Sequence, residues 1–481
     1  MEPVSPPSSH ARPLRGPVLT LLSGSSLALA LSYLAQPVLT RLYTPEAFGI
    51  MDAFVALASL LFVLGTLRYE DALLLPRDEA EARGLLRLSA CMLTGLSLLC
   101  LLLSLPARLL LQHQTALADW LPWLAPTLLI MGSGRLAELW LMRRQAFRTL
   151  STGTALRATT TTTVRLVAGL PPIQAGATGL IGGYLSGLLS TLLLYGWRLH
   201  RTRSFSSKPS LPLRPLAHRY RHFPLFTLPA ALLNALSMRL PFLLLLAFFD
   251  AQVLGFFGRA FMVLTVPLGL VGGATGQVFF VRAAEVRHSS NALRPLTLRV
   301  YHRLLQIGLY PALLLIMMGP ELFAFVFGTP WRTAGQYAAW ITPWLLLAGL
   351  ASPLTRLFDV LERQRADLAT SALLFLLQTL GLIIGGLHGH PETALLLLGL
   401  AGSLGRTLQL GVLLHLAGAS LSDVLIPLFR YLRYSLLPLS LLYLTAAWIS
   451  PPVHLTLALL SVPLYLLFST WLERRQGQPV R

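Results

Sequence analysis

Hydrophobic runs of roughly 20 residues follow one another from about Pro17 to Trp471, each long enough to cross a hydrocarbon core of ~30 Å at ~1.5 Å per residue. About fourteen runs stand at approximately 17–39, 47–67, 84–107, 120–142, 155–174, 177–197, 223–249, 252–280, 304–327, 336–358, 367–388, 392–416, 430–449 and 453–471. They lack the period-2 alternation of strands and exceed barrel-strand length, so the expected fold is an all-α polytopic membrane protein. Positive charge gathers in every second gap. Of the 38 Lys and Arg, about 30 fall in alternate gaps and tails, about 3 in the intervening gaps and about 5 inside runs. Basic residues stay on the cytoplasmic side, so both termini are expected there, in a multi-pass protein.

The longest basic gap, Arg198–His222, holds Arg201, Arg203, Lys208, Arg214, Arg219 and Arg221 among Ser and Pro and reads as a solvated linker. It gives the expected organisation: a tail at 1–16, six runs in 17–197, the linker at 198–222, six runs in 223–416, two more in 417–472, and a tail at 473–481. The halves echo each other. Leu42-Tyr43-Thr44-Pro45-Glu46-Ala47-Phe48-Gly49-Ile50 bridges runs one and two, and Phe248-Phe249-Asp250-Ala251-Gln252-Val253-Leu254-Gly255-Phe256 bridges runs seven and eight. Such internal repeats mark transporters, with the site between the repeats. The outer gaps are short throughout, with no room for an acceptor-holding domain, which argues against a membrane glycosyltransferase or polymerase.

Composition narrows the picture further. A hydrophobic fraction of 54%, 12% charged residues and a mean hydropathy of +0.66 exclude an ordinary soluble domain. The net charge of +19 sits in short juxtamembrane loops, where the positive-inside bias and anionic lipids account for it, so nucleic acid is not an expected partner. Cys91 and Cys100 both fall in run three, too few and too buried for a disulfide framework or zinc site. Arg12, Arg15 and Ala28-Leu29-Ala30 resemble a signal peptide, but the apolar run continues to Thr40 and reads as an uncleaved first span. No P-loop and no nucleophile–base pair appears, so neither catalysis nor a cofactor is expected. The driving force would be an H+ or Na+ gradient, the membrane potential, or removal of substrate on the far side.

The informative residues are charges inside runs: Arg135 and Glu138 in run four, Arg165 in run five, Arg239 in run seven, Arg259 in run eight and Arg406 in run twelve. Asp52 lies near the start of run two. A mid-helix Arg costs on the order of 2.5–3.5 kcal/mol on insertion scales, so five facing lipid would cost over ~12 kcal/mol. Some must therefore face water, a counter-charge or the interface. Arg135 and Glu138, three apart on one helical face, neutralise each other. Arg259 either pairs with Asp250 or Asp52 or faces a cavity. Arg239 and Arg406 have no acidic residue within a helical turn or two. Arg165 follows Thr159–Thr163, whose hydroxyls either back-bond to the helix or line water. Arg239, Arg406, Arg259 and Arg165 are the expected cationic cavity.

Arg41-Leu42-Tyr43-Thr44-Pro45-Glu46-Ala47-Phe48-Gly49 resembles polysaccharide flippases of the Wzx type, in the multidrug/oligosaccharidyl-lipid/polysaccharide exporter superfamily. Leu67-Arg68-Tyr69-Glu70-Asp71-Ala72-Leu73-Leu74-Leu75-Pro76-Arg77-Asp78, Gly276-Gln277-Val278-Phe279-Phe280-Val281-Arg282-Ala283-Ala284-Glu285, and Thr342-Pro343-Trp344-Leu345 leading to Ser352-Pro353-Leu354 follow in family order. Physically, Pro45 and Gly49 shape a turn and helix start, and Arg68 with Glu70 or Asp71 makes an interfacial ion pair. The resemblance implies two pseudo-symmetric six-helix lobes around a central cavity, with two C-terminal helices appended. It also implies export of an undecaprenyl-pyrophosphate-linked oligosaccharide across a bacterial inner membrane by alternating access. Polysaccharide polymerase and chain-length machinery are then candidate partners besides bilayer lipids. A pyrophosphate suits the cavity arginines, and Gln36, Asn234 and Gln277 suit sugar hydroxyls or helix–helix glue. Asp52, Arg135 and Glu138 are further sugar or coupling contacts. The alternatives are a cation-coupled drug exporter of the same superfamily, a membrane glycosyltransferase or polymerase, and a non-transporting scaffold.

Overall fold

A computed structural model describes residues 30–111, 117–202, 212–287 and 289–475. The expected tail at 1–16, the start of run one, residues 203–211 of the basic linker and the last residues lie outside these. Every element is helical, with no strand among the described residues. We label the long elements, with the short first one, α1 (Gln36–Leu42), α2 (Pro45–Gly65), α3 (Glu79–Leu111), α4 (Leu124–Arg143), α5 (Phe147–Gly169), α6 (Gly176–Arg201), α7 (Leu228–Phe248), α8 (Ala251–Glu285), α9 (Ser290–Phe327), α10 (Arg332–Leu354), α11 (Gln364–Leu387), α12 (Pro391–Leu416), α13 (Leu421–Thr445) and α14 (Pro451–Arg475).

The chain is a multi-pass membrane protein. Eleven helices among the described residues, α2, α3 and α6–α14, are long and apolar enough to cross a membrane. The expected fourteen is not reached by that measure. Runs four and five do form helices, α4 and α5. However, Arg135, Glu138 and Arg143 in one, and Arg148, Arg157, Arg165 and a threonine run in the other, dilute their apolar character. Run one is described only from residue 30.

The helices gather into two compact units, one of Met1–Tyr43 with Ala53–Arg239, the other of Thr44–Asp52 with Leu240–Arg481. The division falls within α7 and within α2, not at the linker. In the first unit, Trp140, Leu73 and Leu85 pack with Tyr195 and Leu199 in one apolar core. In the second, Phe279, Tyr310, Phe358, Leu413 and Tyr431 belong to a core built from α8, α9, α10, α12, α13 and α14. Helix α9 runs 38 residues but kinks at Met318, two residues before Pro320, whose ring and missing N–H break the ladder.

Most residues in the described part of the basic linker are exposed, but part of it is helical and docked. Leu213–Arg219 is a short helix with Leu216 buried. Its end is tied down within the first unit: Tyr69 Oη donates to the Ala217 carbonyl at 3.2 Å, Arg219 pairs with Glu81 at 2.8 Å, and Tyr220 Oη donates to Glu81 Oε1 at 3.1 Å. Burial pushes the Tyr220 hydroxyl above its usual pKa, with the Glu81 hydrogen bond adding to it. Beside this lies the turn after α2, where Leu67 and Arg68 adopt left-handed φ values of 50° and 65°. The expected ion pair is present: Arg68 reaches Asp71 at 2.8 Å and Glu70 at 3.7 Å. Thr66 Oγ1 donates to the buried Glu70, and burial holds that carboxyl above the usual carboxylate range.

Within the second unit the two repeat segments meet at their glycines. A Cβ on Gly49 would stand 1.6 Å from the Ala251 carbonyl oxygen, and one on Gly255 would stand 1.8 Å from that of Pro45. Small residues let helix backbones approach this closely, and in a bilayer such packing drives association. Gly255→Ala is therefore expected to destabilise the protein by about 1–3 kcal/mol or more, because the obstructing atom is backbone and cannot rotate away. Gly269→Ala, where a Cβ meets nothing within 4 Å, serves as the neutral control in thermal unfolding of detergent-purified protein.

Candidate functional site

Two groups of charges stand out, one in each unit. In the second unit, Asp250 caps α8 by accepting from the Val253 N–H at 2.8 Å, which fixes where the helix starts. Two turns later Arg259 points to α2. Its Nη2 donates to both carboxylate oxygens of Asp52 at 3.1 Å, and its guanidinium lies 4.3 Å from the centroid of the Phe48 ring. The two side chains are only 6% and 12% exposed. Gly258 leaves room for the carboxylate, since a Cβ there would stand 2.0 Å from Asp52 Oδ2. Of the alternatives left open by the sequence, the structure realises the Asp52 partner, while Asp250 is engaged as a cap. Arg259 is thus a buried, neutralised cation.

In the first unit, α5 carries Thr154, Arg157, Thr161 and Arg165 at spacings of three and four, on one helical face. That face packs on α6 through glycines. A Cβ on Gly187 would stand 2.0 Å from Thr161 Oγ1, and one on Gly183 would stand 2.5 Å from Arg165 Cγ. Arg165 Nε donates to the Leu180 carbonyl at 3.0 Å, while its own carbonyl accepts from Tyr43 Oη at 2.6 Å. In the preceding threonine run, Thr159 back-bonds to the Ala155 carbonyl at 3.0 Å.

The focus of this face is Tyr184 on α6. The Arg157 guanidinium stands 5.8 Å from its ring centroid, and Arg157, Arg239 and Arg165 all act on it electrostatically. Next to it lies a cavity of about 240 Å³ whose lining includes Arg135, Glu138, Thr154, Arg157, Thr191 and Tyr195. Arg135 pairs with Glu138 at 3.2 Å, as their spacing predicts, whereas no carboxylate pairs with Arg157 among the described residues. The face carries two positive charges, Arg157 and Arg165, and leaves Arg157 exposed. Such a surface suits an anion with several oxygens. Arg157 is not singled out by sequence because it sits at the start of run five, beside a basic loop. Its helical register with Thr161 and Arg165 was the available signal.

The remaining candidates are dispersed. Arg239 is half-buried on α7 and joins Arg165 in the first unit. Arg406 is half-buried on α12 in the second, with Nη1 donating to Gln409 Oε1 at 2.6 Å and Nε buried without a partner. The structure thus groups Arg165 with Arg239 and places Arg259 and Arg406 in the other unit. Gln36 is buried and donates to the Ser32 carbonyl at 3.1 Å. Asn234 and Gln277 are exposed. Cys91 and Cys100 are free thiols, and Cys91 is exposed on α3 rather than buried. No cluster of three or more metal-ligating side chains occurs among the described residues.

A family model for polysaccharide biosynthesis proteins matches residues 38–336. By sequence, no curated protein matches the chain. Among solved structures, the lipid II flippase MurJ in an inward closed conformation superposes with a TM-score of 0.70 at 16% identity, covering 94% of this chain and 99% of that one. An inward-facing multidrug resistance MATE family transporter of the MOP superfamily superposes with a TM-score of 0.62 at 15% identity, covering 82% and 99%. The chain therefore has the fold shared by MurJ and MATE transporters.

Proposed function

The chain belongs to the polysaccharide biosynthesis protein family, and from that premise we propose that it is a flippase moving an undecaprenyl-pyrophosphate-linked oligosaccharide from the inner to the outer leaflet of a bacterial inner membrane. The observation that carries this reading is the α5 face that sets Arg157 over Tyr184 with Arg165 two turns on, beside a cavity lined by Arg157 and Arg135. A lipid pyrophosphate carries roughly two negative charges and must leave water to cross, and guanidinium groups replace that hydration with bidentate, permanently charged donors. Transport would proceed by alternating access, with both termini cytoplasmic and an H+ or Na+ gradient as candidate driving force. Polymerase and chain-length machinery would take up the product. The reading assigns no bond-making chemistry to the chain.

A cation-coupled drug exporter is the second reading, supported by the fold shared with the MATE transporter. It needs an acidic site for cations. The acids inside the helices that the sequence singled out are neutralised here, Asp52 by Arg259 and Glu138 by Arg135, which favours an anionic substrate. Glycan export in a strain lacking the native gene separates the two, with efflux of a cationic dye measured alongside. An Arg239→Ala, Arg406→Ala double variant is expected to abolish export while accumulating normally in membranes. Normal export by the double variant would overturn the cationic-cavity mechanism but not the flippase, whereas dye efflux with no glycan export by the unaltered chain would favour the exporter.

A further inference from the structure

The cavity of about 240 Å³ inside the first unit is walled by α2, α4, α5 and α6. Phe62, Ile130 and Leu188 supply apolar wall, and the charge comes from Arg135 and Glu138 on α4 and Arg157 on α5. Three hydroxyls also line it, but each donates to a backbone carbonyl: Thr154 Oγ1 to Leu150 at 3.0 Å, Thr191 Oγ1 to Gly187 at 3.0 Å and Tyr195 Oη to Leu150 at 3.4 Å. The donors left for a guest are the two guanidinium groups, which match the oxygens of an anion. The space is smaller than the ~300–1,000 Å³ of pockets for drug-sized ligands. It suits one small oxyanion group, not an oligosaccharide.

Glu138 holds the place such an anion would take. It meets Arg135 at 3.2 Å from three residues away on the same helix, and the two side chains are 38% and 39% exposed. A pair this open is weak, because water screens it and ordering two long side chains costs entropy. The Asp52–Arg259 pair is the contrast. There both carboxylate oxygens are engaged and the side chains are buried, so removing one partner is costly. The first pair can exchange partners and the second cannot. An oxyanion that takes two donors at once offers Arg135 more than Glu138 does, and Arg157 adds a second guanidinium from the neighbouring helix.

We propose that this cavity binds a small oxyanion between Arg135 and Arg157, and that Glu138 is the resident carboxylate which the oxyanion displaces from Arg135. When the oxyanion leaves, Glu138 returns, so Arg135 keeps a counter-charge throughout and release does not strand a cation. The proposal rests on the flippase reading only for the identity of the oxyanion, which is then the pyrophosphate of the lipid carrier.

Calorimetric titration of inorganic pyrophosphate, without magnesium, into the full chain in nanodiscs of neutral lipid tests the exchange. Glu138→Gln is expected to tighten binding about twofold to fivefold, because the competing charge is gone while the side-chain shape stays. Arg135→Ala and Arg157→Ala are each expected to weaken it about tenfold or more. Glu285→Gln breaks an equally spaced pair in the second unit, Arg282–Glu285 at 3.3 Å, and is expected to leave affinity unchanged. Should Glu138→Gln fail to fold, Glu138→Asp draws the carboxylate back from Arg135 and is expected to tighten binding less. Binding that is unchanged or weaker in both Glu138 variants overturns the proposal, as does tightening by Glu285→Gln to the same degree, which would reduce the effect to net charge. No pyrophosphate binding by the unaltered chain overturns it too. Glycan export by the unaltered chain tests the flippase reading separately: export without binding removes this site and keeps the reading, and binding without export does the reverse.

Discussion

Asp52→Ala is expected to destabilise the protein by about 3–5 kcal/mol, because it leaves the Arg259 guanidinium buried without its counter-charge. Arg259 is 6% and Asp52 12% exposed, so water cannot readily take over from the carboxylate. The Phe48 face lies 4.3 Å away and offers only a weak substitute. Removing both charges should behave differently. An Asp52→Ala, Arg259→Met variant keeps much of the packing volume, and its stability is expected to return close to that of the unaltered chain. Thermal unfolding in detergent, compared across the two single variants and the double, measures the coupling. The same proteins then report on function. If the double variant folds normally but exports no glycan, Arg259 has a role beyond pairing; if it exports normally, the pair is structural.

The second large effect is expected at Arg157. Arg157→Ala should lower the export rate by about tenfold to a hundredfold, the size expected for losing hydrogen bonds to a charged group. The amount of protein in the membrane should hold or rise, because removing a mid-helix Arg saves on the order of 2.5–3.5 kcal/mol of insertion cost. Arg157→Lys retains the charge but loses the planar fork, so an intermediate rate is expected. Tyr184→Phe keeps the ring beneath the guanidinium and should fall closer to normal. Export by Arg157→Ala at the normal rate would remove the α5–α6 face from the transport mechanism.

What the sequence made legible follows from the range of each interaction. Helix positions could be read because hydrophobic run length is a local property, and Arg135–Glu138 because partners three residues apart share a helical face. The Asp52–Arg259 pair spans 207 residues. No local rule selects Asp52 over Asp250, which lies nearer in sequence but is used as a helix cap. Gly49 and Gly255 were visible as equivalent positions in a repeat. That they touch each other depends on how two distant helices cross. The linker segment Leu213–Arg219 looked solvated by composition, yet its docking rests on Leu216, Ala217, Arg219 and Tyr220 meeting Tyr69 and Glu81, partners more than 130 residues earlier. Arg157 is the opposite case: its neighbours Thr161 and Arg165 are close enough to read, but its place two residues inside run five classes it with the span-end charges.

The glycine contact has an evolutionary corollary. Gly49 meets Ala251 as Gly255 meets Pro45, the reciprocal pattern of an isologous dimer interface, in which each partner offers the same patch. Two separate identical subunits joined this way would carry every side-chain change twice. In that register Asp52 is equivalent to Gly258, and Arg259 to Ala53, so the ion pair has no mirror-image copy. A symmetric dimer could make such a pair only in duplicate, whereas one chain holds it once. On one chain each half can vary alone, and the symmetric backbone crossing holds an asymmetric electrostatic bond.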